Sequence, residues 1–217
     1  MQLLDHFLHA SHLCLVFEYL PLTLLDVLAR NRYAGLPLTI VREVTRQLLF
    51  ALHRIHSAGL CHADLKLENV MIGPGSSAAV SIAPTRVTAA APAATAAAAA
   101  TPVAPGGSHP LVAPSRLLRG DAPPSSGPQV RLIDFGSSGF EGTLTFPYIQ
   151  SRFYRAPEAM LGCAYDCSID MWSLGCVAAE LFGGLPLFPG ANELDTLYRI
   201  VCMLGPPPQW MVDAGFK

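Results

Sequence analysis

Apolar residues recur every three or four positions from Thr39 to Ala58, at Val41, Val44, Leu48, Leu52 and Ile55. This spacing predicts a helix burying one face, with Thr39 as N-cap and Gly59 as stop. Ser168 to Phe182 repeats the pattern, capped by Ser168 and ended by Gly183-Gly184, and Asn192 to Leu204 does so again before Gly205 and three prolines. HLCLVFEYL, residues 12–20, is a continuous apolar run of strand type. The preceding LLDHFLHA pairs with it through Ala10 and Ser11, and both are expected as core strands. NVMI and QVRLI form a second expected strand pair, and the second half of the chain reads as chiefly helical.

Gly73 to Pro128 breaks the patterning. It is dominated by Ala, Pro, Gly, Ser and Thr, with a single acid and no aromatic residue. This composition predicts a disordered insert between the two strands of the expected pair. Lengthening a hairpin connection about eightfold adds only ~2 kcal/mol of closure entropy, at about 0.6 kcal/mol per doubling, so a packed domain tolerates it.

Composition narrows the class. At 217 residues and 51% hydrophobic, the chain is long enough for one sizeable core. A formal net charge of -2 gives no reason to expect nucleic acid or an anionic membrane as partner. The six cysteines form no CxxC pair and lie mostly in apolar runs, so they read as buried thiols of an intracellular protein, in cytoplasm or nucleus. The run MWSLGCVAAELF is too short to span a bilayer, and MQLLDHFLHA lacks the basic start of a signal peptide. His6, His9 and His12 lack acid or cysteine partners at ligand spacing and read as surface residues.

With the insert looped out, HADLKLEN (62–69) and LIDFG (132–136) become neighbours, followed by RAPE (155–158) and DMWSLG (170–175). These motifs in this order resemble a eukaryotic protein kinase of the CMGC group. YIQSRFYRAPE and IDMWSLGC are similar to the dual-specificity tyrosine-regulated kinases and the homeodomain-interacting protein kinases, and the spelling HAD occurs in the latter.

The resemblance implies an α+β, protein-kinase-like fold: a mostly helical large lobe with only a short strand hairpin of the small lobe. It implies a serine/threonine kinase with tyrosine autophosphorylation, using ATP and Mg²⁺ on protein substrates. Asp64 would orient and deprotonate the substrate hydroxyl, Lys66 would reach the γ-phosphate, and Asn69 and Asp134 would supply oxygen ligands to Mg²⁺. Glu68 is a minor structural candidate, and His62 would support Phe135. Phe17, Glu18 and Leu20 resemble the gatekeeper and hinge, with Met71 flooring the adenine; core packing explains these side chains equally. Tyr148 falls at the autophosphorylated tyrosine, with Arg152 and Arg155 as partners for its phosphate. Plain packing for Tyr148 and a solvated loop for the arginines are the alternatives. Asp170 resembles the buried aspartate that accepts backbone N–H bonds from the catalytic loop; a solvated first-turn acid fits its position nearly as well.

Several positions depart from the family pattern. Ala63 replaces an arginine that pairs with an activation-loop phosphate, Phe146 replaces a tyrosine, and Leu67 replaces a proline and would loosen the loop. Glu158 would lack its usual arginine partner. The expected organisation is a small-lobe remnant with hinge at 1–20, large lobe at 21–72, insert at 73–128, and the rest of the large lobe at 129–217. No Gly-rich loop, strand lysine or helix glutamate precedes His12, and the lysines are Lys66 and Lys217 alone. The 217-residue chain by itself is therefore expected to be nearly inert. A noncatalytic pseudokinase-like binding module is the rival reading, and a disordered platform built on the insert a third.

Overall fold

The computed structural model of the chain describes residues 3–73, 128–143 and 148–215. The Ala/Pro-rich insert lies outside the described residues except for its two ends, as do Phe146 and Lys217. The fold is α+β, mostly helical with short antiparallel strand pairs.

The chain opens with a hairpin, β1 (Leu3–His9) and β2 (His12–Phe17), turned through Ala10 and Ser11, both at positive φ. The pairing is the one expected, but the strands are not core strands. Every side chain of β1 is exposed, and β2 half-buries only alternate positions. A two-stranded ribbon has two faces, and among the described residues β1 and β2 form a sheet with no third strand. Without a second layer an apolar pattern has nothing to bury against.

Helix α1 (Leu24–Arg30) starts at a reciprocal capping box between Thr23 and Asp26. Helix α2 (Leu38–His56) buries Val41, Val44, Leu48 and Leu52, as the spacing predicts. Its first residue is Leu38 rather than one after Thr39. Pro37 precedes it with φ preset near the helical value, and the Pro37 carbonyl accepts from Val41 N at 3.0 Å. Strand β3 (Leu60–Cys61) follows, then a 3₁₀ turn at Leu67–Asn69 and strand β4 (Val70–Ile72). Strand β5 (Val130–Leu132) pairs with β4, matching Val70 to Leu132, and β6 (Gly139–Phe140) pairs with β3.

Helix α3 (Pro157–Leu161) leads to α4 (Ser168–Gly183), which α2 packs against. The side chain closing the start of α4 is Asp166, whose Oδ1 accepts from Ser168 N at 2.7 Å, so Ser168 is not the cap. Gly184 ends α4 at φ +84, where an added Cβ would lie 2.0 Å from the Tyr33 carbonyl oxygen. Helix α5 (Glu193–Leu204) is capped by Asn192, and α6 (Gln209–Ala214) follows the prolines.

The main core gathers α1, α2, β4, β5 and α4 around Leu28, Val44, Leu48, Leu52, Val177 and Leu181. A smaller cluster of Cys61, Ala63, Ile149, Ala156 and Ile169 lies beside it. Cys61, Cys163, Cys167 and Cys176 are buried thiols; Cys202 is exposed and Cys14 partly so, because neither α5's outer face nor the hairpin is covered. Among the described residues no helix is long and apolar enough to cross a membrane.

Candidate active site

The segment after β3 alternates strictly. Ala63, Leu65 and Leu67 are fully buried, the last two in the main core, whereas Asp64 and Lys66 remain accessible and Glu68 is exposed. Inward apolar residues thus anchor the loop and aim Asp64 and Lys66 outward. The Leu67 side chain is one of these anchors. Helix α2 delivers the chain to this point and β4 carries it away.

The Asp64 carboxylate is bonded on both oxygens. Oδ2 accepts from Lys66 Nζ at 2.8 Å and from Asn69 Nδ2 at 3.2 Å, and Asn69 Nδ2 also donates to the Asp64 carbonyl at 2.9 Å. Oδ1 accepts from Ser151 Oγ at 2.7 Å and Ser151 N at 3.2 Å, while Lys66 Nζ donates to Ser151 Oγ at 3.0 Å. Ser151 is a site residue that the motifs did not reveal. Its only sequence signal is a hydroxyl between Gln150 and Arg152, far along the chain from Asp64. The group opens on a cleft of about 640 Å³ lined by Asp64, Gly136, Ser137, Tyr148, Gln150 and Arg152.

β5 runs on into Asp134 directly beside the loop. Ile133 N donates to the Asn69 carbonyl at 2.9 Å, and the Ile133 carbonyl lies 3.0 Å from His62 Nε2. Asp134 has φ +61, a left-handed conformation that aspartate tolerates better than most residues, and its exposed carboxylate takes one bond, from Gly136 N at 3.2 Å. Asn69 and Asp134 thus sit on two strand ends zipped together, and both offer oxygen, the donor type that hard cations such as Mg²⁺ take. His62 meets Phe135 edge-on, with ring centroids 5.0 Å apart.

Asp170 is fully buried and receives backbone bonds at 2.8 Å from both His62 N and Ala63 N. It is therefore no solvated first-turn acid. Its grip holds Ala63 at φ +64, a conformation that costs of order 1–3 kcal/mol for a residue with a Cβ.

Tyr148 is exposed, and the Arg155 guanidinium carbon lies 3.9 Å over its ring, a cation–π geometry. Arg155 and Arg152 hold the Tyr148 phenol below its ordinary range. Arg155 is not a solvated loop residue. It is buried, donating to the Ile149 and Gln150 carbonyls at 2.7 Å each and to Glu193 at 3.0 Å. Arg152 donates to the Ala191 carbonyl at 2.7 Å. Gln150, held at φ +64, donates to the Ile169 carbonyl and to Ser173 and accepts from Ala156 N.

Among the residues expected to form a hinge, Leu20 is buried whereas Phe17 is 39% exposed and Glu18 partly exposed. Ile72 N donates to the Leu22 carbonyl at 2.8 Å and Thr23 bridges Met71, so the chain just after Leu20 runs beside Met71. Burial pushes the Glu158 carboxyl up, and among the described residues no side chain pairs with it. His6, His9 and His12 lie exposed on the hairpin.

Comparison with known proteins matches residues 1–83 and 123–206 to the protein kinase domain family. The chain is 40% identical over 215 residues to the serine/threonine-protein kinase ppk15 of Schizosaccharomyces pombe, covering 99% of the chain and 31% of that protein. It is 39% identical over 215 residues to the dual specificity protein kinase YAK1 of Saccharomyces cerevisiae, covering 99% and 20%. With homeodomain-interacting protein kinase 1 of Caenorhabditis elegans it shares 38% over 212 residues, covering 97% and 19%. The chain thus spans about a fifth to a third of the length of these relatives.

Proposed function

Because the chain belongs to the protein kinase domain family, we propose that it carries the large-lobe chemistry of a serine/threonine kinase with tyrosine autophosphorylation. The reaction moves the γ-phosphate of ATP to a protein hydroxyl. The observation that carries this reading is the Asp64 carboxylate at the cleft, bonded at 2.8 Å to the Lys66 ammonium and at 2.7 Å to a hydroxyl, that of Ser151. A carboxylate already bonded to one hydroxyl has the geometry to orient another and to accept its proton.

Lys66 neutralises charge beside that base. Asn69 directs its amide nitrogen at Asp64, which leaves its oxygen for Mg²⁺, and Asp134 supplies a second oxygen from across the β4–β5 zipper. A metal held there would neutralise charge on the phosphates. Phe17, the backbone of Glu18 and Leu20, and Met71 form the adenine-facing set, a reading supported by the pairing of Leu22 and Thr23 with Met71 and Ile72. Tyr148 is the autophosphorylation site, and Arg152 and Arg155 already face its phenol. Protein substrates are the partners.

The test is transfer from radiolabelled ATP by the chain joined to a small lobe carrying a Gly-rich loop and strand lysine. Transfer is expected there and not from the 217 residues alone, which include no Gly-rich loop or strand lysine for the α- and β-phosphates. Asp64→Ala should lower kcat about 10²- to 10⁴-fold, and Asp134→Ala should abolish transfer or raise the Mg²⁺ concentration it needs. Full activity in Asp64→Ala overturns the assignment; binding of ATP without transfer favours the noncatalytic module.

A further inference from the structure

We propose that His9, His12 and Cys14, gathered at the tip of the β1–β2 hairpin, form a binding site for a borderline divalent cation of the Zn²⁺ type. Along the chain His6, His9 and His12 look equivalent, three residues apart and without a partner at ligand spacing. The strand register separates them. His9 stands directly opposite His12 in the last rung before the turn, whereas His6 stands opposite Leu15. Paired residues share a face and alternate residues return to it. His9, His12, Phe7 and Cys14 therefore lie on one face of the ribbon, and His6 lies on the other.

This geometry suits an ion. Facing Cβ atoms of a rung are about 5 Å apart, and two imidazoles at that separation reach one ion at a metal–nitrogen distance of about 2 Å. Cys14 is one rung further on the same face, and its Sγ leans toward the tip, 3.9 Å from the His12 carbonyl oxygen. Two imidazoles and a thiolate are donors for Zn²⁺ or Cu²⁺ rather than Mg²⁺ or Ca²⁺, with a fourth position left to water. Among the described residues no three His, Cys, Asp or Glu side chains are already poised to hold a metal ion. Both rings are exposed, however, so they turn to the ion by rotamer changes alone, and the thiol gives up its proton on ligation.

What the ion does follows from the weakness of the hairpin. Every side chain of β1 is exposed, and the turn residues Ala10 and Ser11 have φ +46 and +66, a turn that Asn-Gly favours and residues with a Cβ resist. An ion across the rung that closes this turn binds the paired strands and not the separated ones, so it fastens the tip.

The site does not depend on the kinase reading, and the whole 217-residue chain tests it, with Zn²⁺ titrated against a chromogenic chelator. His9→Asn and His12→Asn should each weaken the tightest Zn²⁺ binding about tenfold or more, and His6→Asn, on the opposite face, should leave it unchanged. With free Zn²⁺ about ten times above its Kd, exchange of the β1 and β2 amides should slow about tenfold while core amides such as Val44 keep their rates. The Co²⁺-loaded chain should show a thiolate-to-metal charge-transfer band that vanishes in Cys14→Ala. An equal loss in His6→Asn, no loss in His9→Asn, a band that is absent or persists in Cys14→Ala, or Zn²⁺ that leaves the hairpin amides unprotected overturns the proposal. Should His12→Asn fail to fold, the ring nitrogen shifts of the native chain decide: Zn²⁺ is expected to move those of His9 and His12 together, and movement of His6 instead, or of none, overturns it.

Discussion

Tyr154 donates its phenol to Glu180 at 2.7 Å inside the core, and burial raises the Glu180 carboxyl above the ordinary glutamate range. Glu158 is raised in the same way, chiefly by burial. An acid raised by folding binds its proton more tightly in the folded state. Its stabilisation is complete below the unfolded value and is lost as pH rises through the folded one. Asp26, Glu43 and Asp166 are lowered by hydrogen bonds, so their contribution is lost instead as pH falls below the ordinary carboxylate range. Thermal melts should therefore show Tm falling as pH rises above the glutamate range. Glu180→Gln, which keeps an acceptor for Tyr154, should flatten that slope and raise Tm at pH 7; a steeper slope or a lower Tm contradicts the account. At this scale Asp64, Lys66 and Asn69 were legible because their spacing within one short loop is itself the signal. Ser151 and Gln150 were not, because each takes its partners from segments away from its own motif, Asp64 for Ser151 and Ile169 and Ser173 for Gln150.

Among the elements, α5 shows what a cap adds. The Asn192 side chain accepts from Asp195 N at 2.9 Å, and Asn192→Ala should cost about 1 kcal/mol in urea unfolding, since it leaves that first-turn N–H unpaired. A loss below a few tenths would mean that water replaces the side chain fully. The starts of α2 and α4 were misread by the same rule, which takes the nearest hydroxyl residue as cap. At α2 the preset backbone of Pro37 starts the helix before Thr39 is reached. At α4 Asp166, two residues upstream, closes the Ser168 N–H. The hairpin was legible as a pair but not in its burial, since alternation states which side chains share a face and says nothing about what covers that face.

For the whole molecule, the two chain ends that flank residues 74–127 are fastened together. Gly73 N donates to the Gln129 carbonyl at 2.7 Å, and Gln47 on α2 holds the Pro128 carbonyl at 2.9 Å and Val130 N at 3.0 Å. Replacing 74–127 by a turn of about three residues should leave the unfolding free energy unchanged or raise it by up to about 2 kcal/mol, because every bond of the β4–β5 pair remains and the cost of closing the connection falls. Loss of folding would show that the insert contributes to the core. Residue order along the chain determined the class of chemistry, the strand pairing across the insert and the helix faces, since each of these depends on spacings of a few residues or on simple closure. Only the tertiary structure decided that Arg155 is buried under Tyr148, that Ser151 completes the Asp64 cluster, and that His56 and Asp170 fasten the loop from below. The Asp64–Ser151 and His56–Asp170 bonds join residues 87 and 114 positions apart. Packing of α2 against α4 brings His56 to Asp170, and no periodicity within either helix encodes the meeting.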